Sequence, residues 1–170
     1  SSRKEHRASL GHLPDLNLLH IIHPRAHEGF FEYYMALRES VHQVLRRELK
    51  KKAAKIYFTG HSLGGAMATL CCYDVNVNTV PRVKTYLQHK KDALSENQID
   101  SLLETSLYTF GSPRVGDGVF FNKFHNLCTH SYRIVGDGDV VTSVPKSWNG
   151  FKHVDTLVLI DNSGVGSIIV

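Results

Sequence analysis

KIYFTGHSLGGAMATLCCY, from Lys55 to Tyr73, is the stretch whose reading decides the fold. Ile56, Tyr57 and Phe58 form a short run of bulky and β-branched residues, as a buried strand needs. The run stops at Gly60-His61-Ser62-Leu63-Gly64-Gly65, and small and apolar residues that suit a helix follow from Ala66. Strand, glycine-flanked serine and helix together form the context in which a G-x-S-x-G match carries chemical meaning. A serine on so tight a turn lifts its hydroxyl off the end of the sheet. Gly60 and Gly64 are expected where a Cβ would collide with the neighbouring strand or helix. The positive end of the helix and the Leu63 backbone N–H would then face an oxyanion formed at Ser62. The alternative is a glycine-rich turn with an incidental serine.

Outward from this stretch, short apolar runs alternate with helical patterns. Phe30 to Lys52 has apolar residues at three- and four-residue steps (Phe30, Tyr34, Leu37, Val41, Val44, Leu45, Leu49). Glu28 and Glu32 stand at its start and Arg46, Arg47, Lys50, Lys51 and Lys52 at its end, as the helix dipole favours. Leu16–Ile22, Leu107–Phe110, Ser131–Val135 and Val154–Ile160 read as strands, and Val119–Phe124 as a short helix. Residues 76–105 read as an inserted helical pair, either a surface excursion or a cover over the site. Pro81 suits a first helical turn, and Ser95 to Gln98 fits a capping box. The Gly/Ser-rich tail after Ile160 reads as loop. The pattern predicts one α/β domain over residues 1–170, with a mostly parallel sheet whose site lies at the carboxyl ends of strands.

A serine attacks a carbonyl only if a base takes its proton, and that base is usually a histidine oriented by a carboxylate. Asp139 follows the Ser131–Val135 strand in the loop Gly136-Asp137-Gly138-Asp139, beside Val140-Val141, and Asp137 is its local competitor. Either residue could instead be an ordinary turn carboxylate. The expected order is serine, acid, histidine. His125 and His130 precede the acid, and His61 would point the wrong way along the turn. His153 is left, and only if the strand it opens runs antiparallel and starts near Asp139; a packed structural histidine is the competing reading.

Charge and composition bound the rest. A net charge of +4, with basic residues gathered at 1–7, 46–55 and 82–91, allows transient contact with anionic lipid surfaces. No nucleic-acid recognition motif accompanies it. No run approaches the ~18 apolar residues of a membrane span. No basic-then-apolar leader opens the chain, so no signal peptide is visible. His20, His23 and His27 lack a carboxylate or thiol at ligand spacing, so no metal and no cofactor is expected. Cys71 and Cys72 are adjacent and Cys128 is distant, which argues against a disulfide framework. With no N-glycosylation acceptor either, a cytoplasmic protein is expected.

Gly60 to Ala66, YTFGSPRVGD (Tyr108–Asp117), YRIVGDGDVVTSVP (Tyr132–Pro145) and FKHVD (Phe151–Asp155) together resemble the fungal-lipase-like, or class 3 lipase, family. His27-Glu28-Gly29-Phe30 is similar to the His-x-Gly-Phe segment before that family's long helix. The resemblance spans most of residues 26–162. It implies an α/β-hydrolase fold and cleavage of ester bonds in tri- or diacylglycerols or related lipids. Ser62 would be the nucleophile, Asp139 the triad acid and the Leu63 amide one oxyanion donor. Gly136 and Thr142 depart from the family's usual Asn and Pro. The family's catalytic histidine lies downstream of the strand that here is Thr156–Ile160, so it is expected beyond Val170. Its second oxyanion donor lies upstream of the His-x-Gly-Phe segment, where Ser1-Ser2 would be a remnant. The resemblance therefore implies a fragment incomplete at both ends. The alternatives are a catalytically inactive lipase-like interaction module and an esterase acting on soluble esters.

Overall fold

The apolar runs that end in glycine become neighbouring strands because each can bury one face only against the others. The computed structural model describes residues 26–52, 54–90, 95–136, 138, 150–161, 163–164 and 166–169. Along the chain the strands are β1 (Ile56–His61), β2 (Thr105–Phe110), β3 (Gly116–Asp117), β4 (His130–Gly136), β5 (Phe151–Lys152), β6 (Thr156–Ile160) and β7 (Gly166–Ile169). The helices are α1 (Glu28–Lys51), α2 (Leu63–Asp74), α3 (Val80–Gln88), α4 (Glu96–Leu102) and α5 (Gly118–Leu127). A five-stranded sheet runs in the order β1-β2-β4-β6-β7, parallel except for β7. β1 and β2 pair without slip from Ile56–Thr105 to His61–Phe110, so both strands reach one rim together. This is the mostly parallel sheet with flanking helices of an α/β-hydrolase.

Alternation sets the faces. Ile56 and Phe58 on β1, Leu107 and Thr109 on β2, and Ser131, Arg133 and Val135 on β4 are buried. Tyr57, Tyr108 and Phe110 point the other way and are exposed among the described residues, with Tyr108 stacked on Tyr132 at 5.4 Å. α2 packs on β1 and β2, and α1 packs on α2. The core between them is built from Phe58, Ala66, Leu70, Leu107, Phe120 and Phe124.

Three expectations change. β6 pairs in parallel with β4, from Tyr132–Thr156 to Gly136–Ile160, so it is not antiparallel. The Gly/Ser-rich tail is not all loop, because β7 pairs with β6 over Leu157–Ile169 to Ile160–Gly166. Strand β7 is too short and glycine-rich to declare itself; its partner's edge orders it. On α1, Leu37 and Val44 are exposed although they belong to the apolar stripe, and His42 is buried. The helix turns this face inward because His42 meets partners on the neighbouring helix. The predicted strand Leu16–Ile22 lies outside the described residues.

The span from Asn76 to Thr105, expected as a helical pair, holds α3 and α4 among the described residues. α2 continues through a π-helical turn (Val75–Thr79) straight into α3, so the chain travels away from Ser62. Val83 on α3 and Ile99 on α4 are fully buried, so the span is part of the core. The capping box before α4 is present, with Ser95 and Gln98 serving each other's backbone.

Candidate active site

Ser62 sits between β1 and α2 with φ +52° and ψ −123°, a conformation that L-residues other than glycine seldom adopt. Hydrogen bonds on both sides hold it there. The Ser62 N–H donates to the Phe110 carbonyl at the end of β2 (2.9 Å), and the Ser62 carbonyl accepts from Gly65 N–H (2.9 Å). The residue is half-buried, at the N-terminus of a 12-residue helix. The first-turn N–H groups of such a helix have no intrahelical acceptor, and Leu63 supplies one of them. Partial positive charge therefore collects beside the serine, where an anionic tetrahedral centre would form.

The glycines divide differently from the expectation. A Cβ on Gly60 would strike the backbone carbonyl of Gly64, so α2 can start this close to β1 only over a glycine. At Gly64 a Cβ would meet nothing within 4 Å, so no collision requires that glycine. Gly65 takes its place: a Cβ there would lie 2.8 Å from Ser112 Cβ and 3.0 Å from its Oγ. Buried Ser112 belongs to the loop after β2, so Gly65 lets α2 approach that loop. The doubled glycine in GHSLGG was the available signal, but the motif pattern drew attention to its first member.

The other site residues divide by what is described. Asp139 and Asp137 lie outside the described residues, as do His20 and His23. β4 runs parallel to β2 and leaves the sheet at Gly136, at the same end as Ser62 and two strands from β1. His153 precedes β6, and the parallel direction of that strand puts its start at the end opposite Ser62. The geometric case for His153 as base rested on an antiparallel strand and falls with it.

Two of the sequence motifs turn out to hold the frame. The His27 N–H donates to Val115 O at 2.9 Å, Ala26 bridges to Gly116, and β3 pairs with β5. The segments around His27, Val115 and Phe151, distant in sequence, thus meet at one small sheet. Asp117 caps α5 by accepting from Val119 N–H (3.0 Å) and Phe120 N–H (2.9 Å). At the far end of α2, Asp74 collects Tyr34 Oη (2.6 Å), Arg38 Nε (2.6 Å), His42 Nε2 (2.8 Å) and Asn78 Nδ2 (2.5 Å). His42 Nδ1 lies 2.6 Å from Thr79 Oγ1. Burial alone would raise the Asp74 pKa, but the bonds from His42, Arg38 and Tyr34 outweigh it and hold the carboxyl well below its ordinary range. Burial, with Asp74 alongside, pushes the Tyr34 phenol far up. This network fixes α1 against the helix that Ser62 precedes.

The profile of the family described as "Lipase (class 3)" matches residues 4–148. The chain belongs to the class 3 lipase family. A lipase of Rhizomucor miehei is 31% identical over 158 residues, which are 89% of this chain and 39% of that protein. Phospholipase A(1) DAD1 of Arabidopsis thaliana, named as chloroplastic, is 30% identical over 152 residues, 82% of this chain and 29% of the relative. A solved triacylglycerol lipase, described as having a serine protease triad at its catalytic centre, superposes with a TM-score of 0.66 at 27% identity. That match covers 95% of this chain and 52% of the solved one. The chain thus spans only part of the length of its class 3 relatives. Those relatives carry different lipid activities in their names, and one is chloroplastic, so membership does not carry the cytoplasmic expectation. No helix among the described residues is long and apolar enough to cross a membrane.

Proposed function

We propose that this protein is a serine hydrolase that cleaves carboxylic ester bonds of lipids, of the tri- or diacylglycerol type, through an acyl-enzyme on Ser62. The observation that carries the reading is the strained backbone of Ser62 at the start of α2, with its flanks pinned to Phe110 and Gly65. A strained serine at a helix N-terminus is the arrangement that presents a nucleophile, and packing alone would not call for it. The Ser62 oxygen attacks the ester carbonyl as a base takes its proton. The oxyanion is held by the Leu63 N–H, and collapse expels the alcohol, which takes that proton. Water then repeats the attack on the acyl-serine and frees the fatty acid.

In this reading Asp139, which follows β4 in sequence, is the triad acid, and the base is a histidine downstream of β6, beyond Val170. The names of the lipase and phospholipase relatives support a lipid ester as substrate. Contact with the lipid surface is transient, through the protein's basic and apolar surface.

The test uses the full-length protein and a fluorescent alkyl phosphonate. The probe should label Ser62, and Ser62→Ala should show no labelling and lose hydrolysis by at least ~10³-fold. Activity should rise when triacylglycerol passes from dissolved to emulsified. Absence of labelling in the folded protein would refute the hydrolase and leave an interaction module on the same fold. Equal activity on dissolved short-chain esters would move the substrate to soluble esters.

A further inference from the structure

Cys72 and Cys128 stand 56 positions apart in sequence, yet their sulfurs lie 3.4 Å from each other. Cys72 is in the last turn of α2, and Cys128 is the residue after α5, two before β4. Both are fully enclosed by the core and both are free thiols. Asn76 reaches over the pair, its Nδ2 3.7 Å from Cys72 Sγ and 3.5 Å from Cys128 Sγ. The same amide donates to Cys72 O at 2.8 Å, and its Oδ1 accepts from Thr105 Oγ1 at 3.1 Å, so the arrangement is held from three elements. Cys71, one residue earlier, faces a different part of the surroundings: it lines the groove between α1, β1 and α2 with Tyr34, Met67 and Ala68.

We propose that Cys72 and Cys128 form a reversible disulfide that locks the last turn of α2 to the junction of α5 and β4. A disulfide needs its sulfurs at about 2.05 Å, so the pair must close by little more than ~1 Å, within reach of small side-chain rotations. The oxidant is a small-molecule disulfide such as oxidised glutathione. One cysteine thiolate displaces a thiol from it, giving a mixed disulfide; the other cysteine, deprotonated, displaces the second. Two protein thiols and one small disulfide become one protein disulfide and two small thiols. The hydrogen bond between the thiols and their burial hold Cys72 strongly protonated, which slows the attack in the closed fold. The exchange therefore proceeds during folding or through local opening of the α5–β4 junction. The bridge lies at the end of α2 away from Ser62, so it acts on the frame and not on the reacting groups.

The experiment equilibrates reduced full-length protein in glutathione buffers stepped from reducing to oxidising. Samples are quenched in acid, denatured, alkylated with N-ethylmaleimide and digested without reductant for mass spectrometry. One linked peptide pair, Cys72 with Cys128, should grow to saturation and vanish with dithiothreitol, while Cys71 stays alkylated throughout. Cys71→Ser should form the same bridge. The bridged protein should melt several degrees higher than the reduced protein, and reductant should abolish the shift. Cys72 and Cys128 both alkylated at every ratio, glutathione adducts on them alone, or a linkage through Cys71 would each overturn the pairing. A bridged form that melts no higher than the reduced one would overturn the locking role.

Discussion

Substituting alanine for Gly60 and for Gly64 separates what the elbow needs from what its motif displays. A methyl on Gly60 meets the carbonyl carbon and oxygen of Gly64 and sits 2.7 Å from Gly65 N, all of them backbone atoms that no rotamer can move aside. Relief requires shifting β1 or the start of α2, the costly kind of overpacking. Insertions into packed sites cost about 1–3 kcal/mol, and a backbone obstacle places Gly60→Ala at ~3 kcal/mol or above. Against the ~5–15 kcal/mol of a typical domain that is a large share. With a urea slope of ~2 kcal/mol/M the midpoint falls by ~1.5 M. Gly64→Ala meets open space and stands in the first turn of α2, where alanine improves on glycine by at most ~1 kcal/mol. Its midpoint should stay put or rise. Urea titrations of both variants of the full-length protein, followed by far-UV circular dichroism, give the comparison. Equal losses at Gly60 and Gly64, or a larger loss at Gly64, would show that the elbow is not built as described.

Other perturbations test the supports of the site. Burial raises the Asp155 pKa from 3.8 to about 7, against the opposing pull of Ser131 and Arg133. A folded pKa above the unfolded one means stability is fullest below pH ~4 from this group and is lost as pH rises through ~7. Asp155→Asn, which tolerates the residue's φ of +81°, should therefore flatten the loss that the parent shows between about pH 4 and 7 in thermal melts. A parent with no such slope would contradict the burial of that carboxyl. Asp74→Ala strands His42, Tyr34 and Arg38 around a missing carboxylate and should cost ~3–5 kcal/mol in chemical denaturation. Asp117→Ala removes two bonds to the first turn of α5 and should cost ~1 kcal/mol, read by the same titration.

What could be read without coordinates, and what could not, follows the range of the forces. Residues 55–73 declared strand, turn and helix because hydrophobic run length, glycine placement and helix-compatible residues act between near neighbours. The same holds for the charge gradient along α1 and the capping box at Ser95. Only the packed chain could show that Gly65, not Gly64, is pressed against a second loop, since Ser112 is far away in sequence. Only pairing could set the direction of β6 and make a strand of the tail, because a strand's partner is supplied by another segment. Nothing near His42 in sequence marks it for burial; Asp74 and Thr79, 32 and 37 positions on, satisfy its ring. Cys72 and Cys128 carry no local sign of each other at all. Their encounter is a product of α2 and α5 sharing one core.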